Sequence, residues 1–119
     1  MVQIKRAYEE PTPEDGQRFL VDRLWPRGRS KEHLQLDGWL KNIAPSEELG
    51  RSFCHDPAHW EEFQRRYKQE LKENQEAVQP LLEAARHGKI TLVYGAKDTE
   101  HNQAVVFKDY LLRELRAES

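Results

Sequence analysis

The sequence predicts an α/β domain: a small, mostly parallel sheet of about three or four strands covered by helices. Three observations carry this. Strand-like runs stand at "VQIKRAY", "RFLVDRL" and "KITLVYGAKD". Residues with helical spacing fill the interval between the second and third runs, which favours a parallel pair joined by a right-handed crossover. At 119 residues the chain is one domain of ordinary size, long enough to bury a core without disulfides or metals. Residues 1–119 are therefore a single compact domain, with the terminal "RAES" frayed.

The elements follow in order. Val2, Ile4 and, after Arg6, Tyr8 stand at alternate positions, the period of a strand. "EEPTPEDG" is a loop. The continuous run Phe19-Leu20-Val21 marks a buried second strand. Its link to the first strand is shorter than about a dozen residues, so the two are an antiparallel pair or are not neighbours. Residues 25–38 are irregular: Pro26 biases Trp25 away from helix, and Gly28 permits unusual backbone angles. "DGWLKNIAPS" holds a short helix with Trp39, Leu40 and Ile43, and Ser46 caps another through "EELGRSF".

Asp56-Pro57 is a start signal, a capping acid followed by proline at the first helical position. Trp60, Phe63, Tyr67 and Leu71 then form one helical stripe, which is core. The polar run around them is a solvated helix face. Pro80 interrupts the pattern, so "PLLEAARHG" is a separate or kinked helix with Gly88 as its C-terminal cap. The third strand carries Ile90, Leu92, Val93 and Tyr94. Thr99 caps a last helix whose apolar side runs through Ala104, Phe107 or Lys108, Leu111 and Leu115, widened by Val105 and Leu112.

Composition excludes several classes. Nineteen basic residues against 21 acidic give a net charge of −2, which argues against a general nucleic-acid coat protein. A single cysteine, Cys54, cannot form a disulfide framework and points to a reducing compartment; with no signal-peptide pattern at the N-terminus, the expectation is cytoplasmic. No apolar run approaches the roughly 18 residues of a membrane span.

In open α/β sheets ligands gather beyond the carboxyl ends of the strands. If the second and third strands are parallel, two polar segments meet there. One is Asp22-Arg23-Leu24-Trp25-Pro26-Arg27-Gly28 with Ser30 and Lys31; the other is Tyr94-Gly95-Ala96-Lys97-Asp98 with His101 and Asn102. Arg23 or Arg27 can grip a phosphate or carboxylate through paired hydrogen bonds, Lys97 adds a point charge, and the start of the last helix adds partial positive charge. Gly28 and Gly95 allow close backbone approach, and Trp25 can stack on a flat group or cover the core. The bland alternative is an ion-pair cluster in which Asp22 meets Arg23, Arg27 or Lys97 and pins two loops together.

Other motifs carry less. His55-Asp56-x-x-His59 has a metal-like spacing, but Asp56 reads as a helix cap. Cys54 and His55 are adjacent and point apart, so they are no ready catalytic pair.

The motifs taken together resemble the YeaO-like branch of a large bacterial family of domains of unknown function. The residues carrying the resemblance are "VDRLWPRG" with Ser30-Lys31, "APS" at 44–46, and "HDP" at 55–57 leading to Trp60, Phe63, Tyr67 and Glu70-Leu71. "TLVYGAKD" with His101-Asn102 and Ala104 completes the set, which spans roughly residues 4–115. Arg29 stands where that motif usually has an apolar residue, Gly95 where it has alanine, and Cys54 where it has glycine. The resemblance implies one compact bacterial α/β domain and places both polar loops at the family's motif positions. It says little about activity and names no cofactor. Some family members carry transcription-regulator labels, but nothing in this chain resembles a helix-turn-helix.

The leading expectation is a protein that binds a small anionic ligand, a nucleotide or phosphometabolite. In an enzyme of this kind Asp22 or His101 is the acid/base candidate. Arg23, Arg27 and Lys97 then stabilise negative charge, and Asn102 orients the ligand. The rival is a non-enzymatic module that holds a nucleic-acid strand or a partner protein through Trp25, Arg23, Arg27, Arg29 and Lys31. A third reading is structural, with the surface pairing to a copy of itself.

Overall fold

The computed structural model describes residues 1–53 and 56–118. Cys54 and His55, and with them the metal-like spacing and the thiol, lie outside the described residues. Four strands, β1 (Val2–Arg6), β2 (Gln17–Leu20), β3 (Gly38–Trp39) and β4 (Ile90–Tyr94), form one sheet in the order β1-β4-β2-β3, with every pair parallel. The helices are α1 (Lys31–Leu34), α2 (Glu47–Phe53), α3 (Trp60–Lys72), α4 (Gln75–His87) and α5 (Gln103–Ala117).

β4 belongs in the interior of the sheet because every residue of "ITLVY" is buried. It separates β1 from β2, so those two strands are non-adjacent and parallel, not an antiparallel pair. Arg6 aligns with Tyr94, and Leu20 with Val93. The pairing outlasts the strands: Ala7 N–H donates to the Tyr94 carbonyl and Val21 N–H to the Val93 carbonyl. β1 itself stops at Arg6, and the expected alternation fails at Tyr8, which lies exposed beyond it.

One sheet face carries Val2, Ile4, Phe19, Val21, Ile90, Leu92 and Tyr94 into the main core. There they meet Phe63, Tyr67 and Leu71 of α3, Val78 and Leu81 of α4, and Phe107 and Leu111 of α5. The stripe read from the sequence is thus core, with Trp60 half-buried at its edge. On α5 the buried set is Ala104, Val106, Phe107, Tyr110 and Leu111; Val105 and Leu112 are only half-buried.

The opposite face is thinner. Ala7, Leu20, Leu34 and Val93 form a small second core with Trp25, Leu36 and Trp39 against it. Beside it Asp15 is buried and accepts from Gln3, Lys5, Thr12 and Arg18. Burial pushes the Asp15 carboxyl up, but the Thr12 N–H, Lys5, the Thr12 hydroxyl and Arg18 together hold it well below the usual carboxylate range.

Several boundaries differ from the sequence reading. "DGWLKNIAPS" forms the two-residue β3 and a 3-10 turn at Lys41–Ile43, not an α-helix. Ser46 does cap α2, its Oγ accepting from Leu49 N–H at 3.2 Å. Asp56 caps a 3-10 turn, Pro57–His59, that leads into α3, its Oδ1 accepting from Ala58 N–H at 3.0 Å. The break between α3 and α4 falls at Glu73-Asn74, and Pro80 sits inside α4. Gly88 ends α4 in extended backbone rather than a left-handed turn. Asn102, not Thr99, caps α5: its Oδ1 accepts from Val105 N–H at 3.1 Å. Among the described residues no helix is long and apolar enough to cross a membrane.

Candidate functional site

The chain leaving β2 turns towards β3, whereas the chain leaving β4 runs into α5, which packs on β1 and β4. The two departures are in opposite directions, and a cleft opens between the strand ends, where α/β sheets bind ligands. It has a volume of about 460 Å³, within the range of small-molecule sites. Phe53 of α2 and Phe63 of α3, stacked with ring centres 4.4 Å apart, give it an apolar wall together with Leu24 and Ala96.

Asp22 is the polar centre of the cleft. Its Oδ2 accepts from Gly95 N–H at 2.8 Å, and its Oδ1 accepts from the Gln103 side-chain amide. A Cβ on residue 95 would lie 2.9 Å from that Oδ2, so glycine is what lets carboxylate and backbone meet unhindered. The Trp39 indole N–H donates to the Asp22 carbonyl at 2.8 Å and fixes the backbone there. Burial pushes the carboxyl up to about 6, against the pull of the Gly95 and Gln103 hydrogen bonds. Asp22 does tie the two loops, but through neutral donors: among the described residues it forms no ion pair with Arg23, Arg27 or Lys97.

Arg23 stands beside it. Its Nη2 donates to the Pro45 carbonyl at 2.8 Å, so a backbone oxygen, not a carboxylate, holds the guanidinium. The wall that supplies this carbonyl is itself fixed: Ser46 N–H and Oγ–H donate to the two oxygens of Glu70 at 2.9 and 2.6 Å. Glu47 and Arg51 of α2 complete the rim, 3.8 Å apart.

The remaining expected residues lie outside the cleft. Trp25 packs edge-on against Trp39, ring centres 5.2 Å apart, and its indole N–H donates to the Arg29 carbonyl. Arg27 is exposed and its carbonyl accepts from the Tyr8 hydroxyl. Gly28 turns the chain at φ 78°, a backbone angle that glycine favours, with open space around it. Ser30 caps α1 by accepting from His33 N–H, and Lys31 is exposed.

In the second segment Tyr94 is buried and Lys97 is exposed. Asp98 accepts from the N–H groups of Glu100 and His101, which pull its carboxyl below the ordinary range. The His101 ring is held by Asp98 at 3.0 Å and stands edge-on to Trp60. Asn102 is fully buried and bonded to Asp98 and Val105. Asp98, His101 and Asn102 thus build the turn that starts α5, and the acid/base candidates Asp22 and His101 do not share the cleft. Among the described residues no cluster of three His, Cys, Asp or Glu could hold a metal ion.

Gln103 escaped the sequence reading because a helix begun at Thr99 buries it one turn inside; with Asn102 as cap it is the first helical residue and faces Asp22. The "APS" wall at 44–46 was visible as a motif but not as a wall, since only the fold brings Pro45 to Arg23.

A model of the family described as the inactive DUF488-N3 subclade matches residues 1–119. The chain is 41% identical over 110 residues to the uncharacterised protein YeaO of Escherichia coli (strain K12), covering 92% of this chain and 96% of that protein. It is 36% identical over 110 residues to the uncharacterised proteins Mb3100c of Mycobacterium bovis and Rv3073c of Mycobacterium tuberculosis, covering 92% of each chain. No solved structure matches significantly.

Proposed function

The chain belongs to the family described as the inactive DUF488-N3 subclade, and from that premise we propose that it binds, without catalysis, a small anionic ligand in the cleft between the ends of β2 and β4. The ligand class is a nucleotide or phosphometabolite. The observation that carries this reading is Arg23: a guanidinium at the mouth of an apolar-walled cleft, steadied by a backbone carbonyl and, among the described residues, in no ion pair. Paired N–H groups suit a phosphate or carboxylate, and the Phe53 and Phe63 wall suits the ligand's flat or apolar body. Asp22 accepts hydrogen bonds from hydroxyl or amine groups of the ligand. Binding rather than turnover fits the word "inactive" in the family's description and the anchoring of His101 on Asp98 and Trp60, outside the cleft. The cytoplasm is the compartment this reading takes, since one cysteine leaves no disulfide pair.

The test is thermal stabilisation across a nucleotide and phosphometabolite set. At least one compound should raise Tm, and Arg23→Ala should remove that rise while Arg27→Ala, outside the cleft, keeps it. A set without a hit, or an Arg23→Ala protein that responds like the wild type, removes the proposal.

A further inference from the structure

The arginines divide by what holds them. Several on the helices meet carboxylates, Arg65 with Glu62, Arg86 with Glu83 and Glu118, and Arg113 with Asp109, while Arg116 donates to the Leu112 carbonyl. At the carboxyl end of β1 they meet a ring and carbonyls. The Arg6 guanidinium lies 5.0 Å from the centre of the Tyr8 ring, and its Nε donates to the Ala96 carbonyl at 2.9 Å. The Arg29 guanidinium lies 5.0 Å from the same ring centre, and its Nη2 donates to the Tyr8 carbonyl at 3.3 Å. The Tyr8 hydroxyl donates to the Arg27 carbonyl at 3.0 Å, which pins the loop against the ring.

Carbonyls and an aromatic face steady a guanidinium without neutralising it. Among the described residues neither Arg6 nor Arg29 forms an ion pair. Glu9 accepts from the Arg6 backbone N–H at 2.7 Å; Glu10 lies by His33, 3.8 Å away. Two cations are thus fixed around one exposed tyrosine, so less side-chain freedom is lost when an anion arrives. The planar fork of a guanidinium matches phosphate oxygens.

We propose that Arg6 and Arg29, held against Tyr8, form a subsite for a phosphate group, separate from the Asp22–Arg23 cleft. The phosphate is either the free terminal group of a small molecule or part of a single nucleic-acid strand. The subsite is independent of the cleft, although Ala96 borders both: it lines the cleft while its carbonyl holds Arg6.

Inorganic pyrophosphate and a labelled thymidylate strand of about 12 nucleotides are the probes, titrated at about 50 and 200 mM NaCl. The wild type should bind pyrophosphate. Arg6→Gln/Arg29→Gln should weaken it about tenfold or more, as expected for loss of charge-assisted bonds, and Arg23→Gln should leave it unchanged. Arg29→Lys keeps the charge but not the fork; it should weaken binding several-fold, and it decides the matter if the double variant does not fold. Binding of neither probe, or equal binding by these variants and the wild type, overturns the subsite. Loss in Arg23→Gln alone also overturns it, while leaving the cleft proposal standing. Salt-sensitive binding of the strand, lost in the double variant, identifies a phosphodiester backbone as the source; pyrophosphate binding without strand binding identifies a free phosphate.

Discussion

Asp22 concentrates the chemistry of the cleft in one carboxyl. Its folded value, about 6, lies above the unfolded value of 3.8. The folded state therefore holds this proton more tightly, and the associated stability is full below about pH 4 and lost as pH rises through about 6. The amount is on the order of 2 kcal/mol, allowing for partial exposure. Asp22→Asn can keep both contacts: Oδ1 accepts from Gly95 and the new amide donates to a rotated Gln103. Urea denaturation should find the variant at least as stable as the wild type at pH 7, with the difference shrinking towards pH 4. A loss at pH 7 would instead make the carboxylate a structural tie. Asp15 has the opposite sign: its folded value is lowered, so its contribution is present above the unfolded value and fades in acid in both proteins.

Among the elements, α5 depends most on one residue. Asn102 is buried, caps the helix and bonds back to Asp98. Asn102→Ala removes the cap and leaves the Asp98 carbonyl without its donor, for a loss of about 1–3 kcal/mol by denaturant titration. Thr99→Ala should cost much less, which separates the observed cap from the one the sequence suggested. The entry to β2 is equally constrained. Gly16 has φ 65°, and a Cβ there would meet the Lys89 carbonyl oxygen at 2.1 Å. Gly16→Ala should destabilise by roughly 2–4 kcal/mol, since backbone must move as well as strain be borne. Elements with strong period or apolar continuity, β1, β2, β4 and α3, were readable from the sequence. β3 was not, because two residues have no period. Pro80 left a separate or a kinked helix open; the structure accommodates it within α4, and the break falls at Glu73-Asn74 instead.

At the scale of the whole molecule, the parallel sheet and the meeting of residues 22 and 95 followed from chain order, and the register confirms them. What held each charge did not follow. Arg23 pairs with the Pro45 carbonyl across 22 residues of chain, and Asp22 with Gln103 across 81; no local pattern encodes either. The expected cations Arg23, Arg27 and Lys97 therefore do not share the cleft: Arg23 lines it, Arg27 and Lys97 lie exposed outside it, and Trp25 serves the second core.

The anionic ligand proposed for the cleft should lie beside Asp22 and Arg23. Amide NMR during titration with the most stabilising compound of the nucleotide and phosphometabolite set tests this placement most directly. The largest shifts are expected at Arg23, Ser46, Gly95, Ala96 and the Gln103 side chain, with their loss in Arg23→Ala. Shifts that leave these signals unmoved, or that persist in the variant, would contradict it.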